Sequence, residues 1–82
     1  MDIEVSLVEA AMQYIALDVE DTEFEAASAA LFEIAPRVGS PQTPVGIAAK
    51  DYVAAEIATG FSLACCDEYE RLCSACITLR AA

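Results

Sequence analysis

Apolar residues along this chain recur at helical spacing in four stretches. Ile3, Leu7, Ala10, Tyr14 and Leu17 follow one another at intervals of four, three, four and three, and Val8, Met12, Ile15 and Val19 widen the stripe. The pattern predicts an amphipathic helix from about Ile3 to Leu17. Thr22 followed three residues later by Glu25 has the spacing of a capping box, so a second helix is expected to begin at Glu23, to bury Phe24, Ala27, Leu31 and Ile34, and to end at residue 35, before Pro36. The short turn between the two implies an antiparallel hairpin. Five of the six helix-breaking residues (Pro36, Gly39, Pro41, Pro44 and Gly46) then cluster in a connector. Beyond it, Thr43-Pro44 reads as an N-cap followed by a proline at the first helical position, which opens a third helix over about 44–59. Gly46, Ala49, Val53, Ile57 and Gly60 give that helix a face of mostly small residues, and Gly60 is the natural point for the second half to divide. Asp67 and Glu70 again have cap-like spacing and predict a fourth helix over about 67–80, with Tyr69, Leu72, Cys73, Cys76 and Leu79 inward. None of these stripes is hidden by its own helix, so the expectation is an all-α, four-helix domain spanning residues 1–82.

Composition sharpens this picture. The 82 residues are 57% apolar, with many alanines and few of the β-branched and aromatic side chains that fill pleated surfaces. A β-sandwich and a disordered chain are both disfavoured. A core of this size leaves a monomer marginally stable, which makes association with a second copy an alternative way to bury apolar surface. The chain opens Met1-Asp2-Ile3-Glu4, without the basic start and apolar core of a secretory signal, and no apolar run reaches the ~20 residues that span a bilayer. A cytoplasmic location with reduced thiols is expected, without membrane attachment.

Candidate chemistry is sparse. The chain has no His, which removes the commonest general base and metal ligand, and its net charge of −10 opposes direct contact with nucleic-acid phosphates. No enzymatic constellation and no cofactor site is predicted. Cys65, Cys66, Cys73 and Cys76 raise the alternative of a thiolate zinc site, but Cys73 and Cys76 fall inside a predicted helix and share the apolar spacing of Cys66 and Tyr69, as small buried hydrophobes do. Asp18, Glu20 and Asp21 resemble the start of a calcium loop, yet the position that needs Gly is Glu23 and the position that needs Glu is Ala29. Gly60-Phe61-Ser62-Leu63 resembles the phosphopantetheine attachment sequence of acyl carrier proteins only faintly, with Phe61 in place of the Asp and the Ser far too late in the chain.

Charge is the feature that remains. Residues 1–33 hold nine acids and no base, so nearly all of the net charge lies on the first hairpin. Glu23 and Glu25 complement the dipole at the start of the second helix. Asp18 and Glu20 follow the C-terminus of the first helix, where that dipole disfavours anions. Besides conferring solubility, the group Asp18, Glu20, Asp21, Glu23 and Glu25 is therefore the candidate docking surface for a basic partner.

One resemblance adds a setting. Thr43-Pro44-Val45-Gly46-Ile47-Ala48-Ala49-Lys50 resembles the T-x-x-G-[IL]-x-A-K segment of many short helical proteins of bacterial and prophage genomes. There the segment follows an acidic hairpin and precedes a last helix rich in Leu and Arg, a layout that Asp67-Glu68-Tyr69-Glu70-Arg71-Leu72 repeats here. The resemblance implies a setting that is often phage. By size and charge the chain is similar to anti-CRISPR proteins, several of which act as DNA mimics on basic surfaces of CRISPR effector complexes. A phage-type inhibitor that occupies the basic nucleic-acid-binding surface of a protein or nucleoprotein complex is the expectation. The alternatives are a structural or regulatory helical module that self-associates through the small face of the third helix or the Cys-rich fourth, and the zinc module.

Overall fold

The computed structural model describes residues 3–18, 20–60 and 66–81. It contains four helices and, among the described residues, no strand: α1 (Ile3–Ala16), α2 (Phe24–Ile34), α3 (Pro44–Thr59) and α4 (Cys66–Ala81), with a 3₁₀ turn (Ala35–Arg37) closing α2. The all-α, four-helix architecture is the one the apolar periodicity predicts. No helix among the described residues is long and apolar enough to cross a membrane.

α1 and α2 form the acidic hairpin, α3 lies against both α1 and α4, and the 3₁₀ turn packs on α3. Leu7, Ala10 and Ala11 of α1, Leu31 of α2, Val45, Ala49, Tyr52 and Val53 of α3, and Leu72 and Cys76 of α4 meet in one core. The small face of α3 has the consequence expected of it. Ala49 and Gly46 let α1 and the connector approach the helix closely, and both are buried within the chain itself. The buried part of that face, Gly46, Ala49 and Val53, is used within the chain, while Ile57 and Gly60 at its far end are exposed. A radius of gyration of 11.7 Å matches the ~12 Å of a compact chain of this length, so the four helices close on one another.

Two local expectations are corrected. The Thr22–Glu25 capping box does not form: the residue before α2 is Glu23, whose backbone is already helical (φ −87°, ψ −9°) instead of extended, and no side chain caps the helix. As expected, α2 ends before Pro36, at Ile34; Pro36 occupies the 3₁₀ turn that follows, where its missing N–H and fixed φ are tolerated, and the chain turns extended at Val38. Several stripe residues are left outside the core, among them Ile3, Leu79, Tyr69 (41% exposed) and Ile57 (55%), whereas Tyr52, absent from the predicted face of α3, is buried.

The start and end of α3 follow the sequence closely. Thr43 is extended, its hydroxyl oxygen accepts the backbone N–H of Gly46 at 3.1 Å, and Pro44 takes the first turn. At the other end Gly60 adopts the left-handed conformation (φ 68°), and its N–H returns to the carbonyls of Glu56 and Ile57. The second half therefore divides at Gly60. Val19, the acyl-carrier-like Phe61 and Ser62, Cys65, and the side chain of Cys66 lie outside the described residues.

Candidate functional site: an acidic bend and the ties that hold it

Asp18, Glu20, Asp21 and Glu23 lie on the connection between α1 and α2, Glu25 follows in the first turn of α2, and all five are solvent-exposed. They are not equivalent. The Asp21 carboxylate accepts the backbone N–H of Asp18 at 2.9 Å, the Asp21 N–H donates to the Asp18 carbonyl at 3.0 Å, and the Phe24 N–H donates to the Asp21 carbonyl at 3.1 Å. Asp21 therefore shapes the bend: its side chain and its N–H both bond back to the backbone of Asp18. Sequence spacing favoured Thr22 for that local role. The side chains of Asp18, Glu20, Glu23 and Glu25 carry no such duty, and the ion pair among the described residues, Arg37 with Glu33 at 2.9 Å, lies at the far end of α2.

Two of the four bases are tied at the far end of α2. Lys50 reaches across from α3 and donates to the carbonyls of Ala35 (3.4 Å) and Val38, satisfying acceptors exposed at the end of the α2–3₁₀ segment. Arg71 and Arg80 are on α4. Arg37 is paired to Glu33 and Lys50 is occupied by carbonyls, both beyond the far end of α2 from the bend.

A second polar centre joins the start of α1 to the start of α3. The Glu4 carboxylate accepts the backbone N–H of Gln42 (2.9 Å), the backbone N–H of Thr43 (2.7 Å) and the Thr43 hydroxyl (2.7 Å). The Thr43 hydroxyl bond, reinforced by the two backbone donors, holds the Glu4 carboxyl below its ordinary range, because each of these bonds favours the ionised form. This explains the T-x-x-G segment in structural terms. A Cβ on Gly46 would stand 2.8 Å from Thr43 Oγ1 and 3.0 Å from Glu4 Oε2, Ala49 is fully buried, and Lys50 caps carbonyls. Ile47, also a fixed position of the segment, is surface-exposed and 45% accessible. Sequence reasoning counted Glu4 only as charge; its signal was an acid placed to meet a Thr cap from another helix, which no spacing along the chain reveals.

Aromatic rings bridge the helices beneath the bend. The Tyr14 and Tyr52 hydroxyls are hydrogen-bonded at 2.8 Å, and the Tyr52 ring also packs near Phe32 (centroids 6.1 Å) and Tyr69 (5.6 Å), while Phe24 meets Tyr14 at 5.2 Å. Burial, with the Tyr14 bond next, pushes the Tyr52 phenol well above its ordinary value. Burial and the neighbouring Cys73 push Tyr69 upward as well. On α4, Cys76 is buried and its thiol is raised by burial and then by Cys73, while Arg80 acts in the opposite direction. Among the described residues no three His, Cys, Asp or Glu side chains are grouped to hold a metal.

Comparison with protein-family models, curated proteins and solved structures finds no match for this chain.

Proposed function

We propose that this chain is a non-enzymatic interaction protein that docks its acidic hairpin onto a basic, nucleic-acid-binding surface of another protein or nucleoprotein complex, as a phage-type inhibitor of the anti-CRISPR kind does. The supporting observation is the bend itself: Asp18, Glu20 and Glu23 are exposed on a connection shaped by the Asp21 backbone bonds, and Glu25 on the first turn of α2 after it, in a stretch of 33 residues with no base. Exposed carboxylates gathered at the bend stand in for phosphates, and their field steers a Lys/Arg-lined channel toward them. The aromatic packing of Phe24 on Tyr14 stiffens the support of that turn.

The test is a fourfold variant, Asp18→Asn, Glu20→Gln, Glu23→Gln and Glu25→Gln, which leaves the turn-forming Asp21 in place. Candidate effector complexes are first captured by the wild-type chain and identified by mass spectrometry. Calorimetry at several salt concentrations then reads the outcome: the variant binds more weakly and with a shallower salt dependence. Equal affinity at low salt rejects the proposal.

A second reading, a self-associating structural module, draws support from Ile57 and Ile77, which are 55% and 65% exposed on α3 and α4. Sedimentation over a range of concentrations separates the two, since a tight dimer belongs to the second.

A further inference from the structure

A groove of about 700 Å³ lies between α1, the start of α3 and the end of α4. Val5 and Val8 form one wall, Pro44 and Val45 the floor near the Thr43 cap, and Ala75 and Leu79 the other wall. Val5 is 52% exposed and Leu79 is 47% exposed. Leu79 stands two turns beyond Leu72, on the side of α4 that carries Leu72 into the core, so its exposure reflects a gap in the packing at this end of the molecule. The volume falls within the ~300–1,000 Å³ of sites that hold small molecules or anchoring side chains.

The polar margin of the groove has one sign. Glu4 and Glu9 of α1 border it, and among the described residues no Lys or Arg lines it. Arg80, next to Leu79 in sequence, is turned about 100° around the helix, and its charge bears on the Cys76 thiol. That sign selects among occupants. A second copy docked face to face would bring two acidic margins, Glu4 and Glu9 of each, to the same interface. A fatty acid or another anionic amphiphile would set its head group beside the same carboxylates. A cationic amphipathic helix avoids both conflicts: apolar side chains at i, i+3 and i+4 enter the groove while Lys or Arg on the adjoining turn meets Glu9.

We propose that this groove docks a short cationic amphipathic segment of a partner protein, with the partner's apolar side chains between Val5, Val8 and Leu79 and its basic side chains on Glu9. The site lies at the opposite end of α1 from the acidic bend, ~15–20 Å away at 1.5 Å per residue. It does not depend on the role proposed for the bend.

The test uses isotopically labelled full-length chain and two synthetic peptides, one with Leu at helical spacing and Lys elsewhere, the other with Ser replacing every Leu. With the Leu/Lys peptide, amide shifts are expected at Val5, Val8, Val45, Thr78 and Leu79; with the Ser/Lys peptide those positions stay unmoved. Val5→Ser combined with Leu79→Ser, both at half-exposed positions, lowers affinity for the Leu/Lys peptide by about tenfold or more. Glu9→Gln lowers it by a few-fold, and the fourfold bend variant retains the groove shifts. Shifts confined to the bend, equal affinity in the Val5→Ser/Leu79→Ser variant, or groove shifts that appear on concentrating the chain without peptide would each overturn the proposal. The last of these outcomes assigns the groove to a second copy.

Discussion

Glu4 and Thr43 stand 39 positions apart in sequence, yet the Glu4 carboxylate accepts both the hydroxyl and the backbone N–H of Thr43 at 2.7 Å. The same hydroxyl oxygen accepts the N–H of Gly46, so one chain of hydrogen bonds runs from α1 through the N-cap into the first turn of α3. The connector is thereby fixed at the end where it enters α3, and the acidic hairpin is anchored to the second half of the chain.

Glu4→Gln follows from this tie. The folded state holds the Glu4 carboxyl below its ordinary value of 4.5, so the unfolded chain binds the proton more readily. The stabilisation is fully present above pH ~5 and declines as the pH falls through the lowered folded value. Thermal melts of the wild type and Glu4→Gln between pH 7 and pH 3 are expected to show a lower midpoint for the variant at pH 7 and convergence toward acid. A constant separation across that range would show that ionisation is not the basis of the tie.

Gly46→Ala should invert the usual helix rule. Alanine at an ordinary helical position is ~1 kcal/mol better than glycine. Here its Cβ would meet Thr43 Oγ1 at 2.8 Å and Glu4 Oε2 at 3.0 Å, so the cap must shift. Loss of an N-cap costs about 0.5–2 kcal/mol. Urea denaturation is expected to show net destabilisation, and Gly39→Ala, with nothing near its added Cβ, should lack that steric penalty.

Lys50→Met retains the aliphatic stem and removes the ammonium that serves the Ala35 and Val38 carbonyls. A loss of about 1–2 kcal/mol is expected, in the range of hydrogen bonds from charged donors. Amide hydrogen exchange should locate the change at residues 35–38 and leave the acidic bend unchanged.

Tyr14→Phe and Tyr52→Phe each delete one side of the 2.8 Å hydroxyl pair. Each is expected to cost about 0.5–1.5 kcal/mol, and the double variant less than the sum, since the second substitution removes a hydroxyl that has already lost its partner. Ultraviolet titration supplies an independent check. Tyr52, raised by burial, ionises above the ordinary phenol value of 10.0, so stability present below pH 10 declines as the pH climbs toward the folded value.

Much of the architecture was legible in the chain because helices are written locally. Apolar spacing marks the side that must leave water, and Thr43-Pro44 and Gly60 mark the ends of α3 through backbone preferences that act within a few residues. The exposed acidic bend was legible for the same reason: five carboxylates crowded between two helical stripes belong on a solvated turn. Tertiary structure decided what local preference leaves open. Spacing pointed to the Thr22 hydroxyl as the polar group that organises the start of α2, but it is the Asp21 carboxylate that takes a backbone N–H at the bend, and α2 has no side-chain cap. Leu79 and Ile57 have the spacing of buried residues, but spacing does not say whether a neighbouring helix extends far enough to cover them. Glu4 on Thr43 and Lys50 on Val38 join groups 39 and 12 positions apart, so only the packing of α1 and α3 could convert two charged residues into structural ties. The apolar groove arises from that packing too, since it exists only where the ends of three helices fail to close over one another.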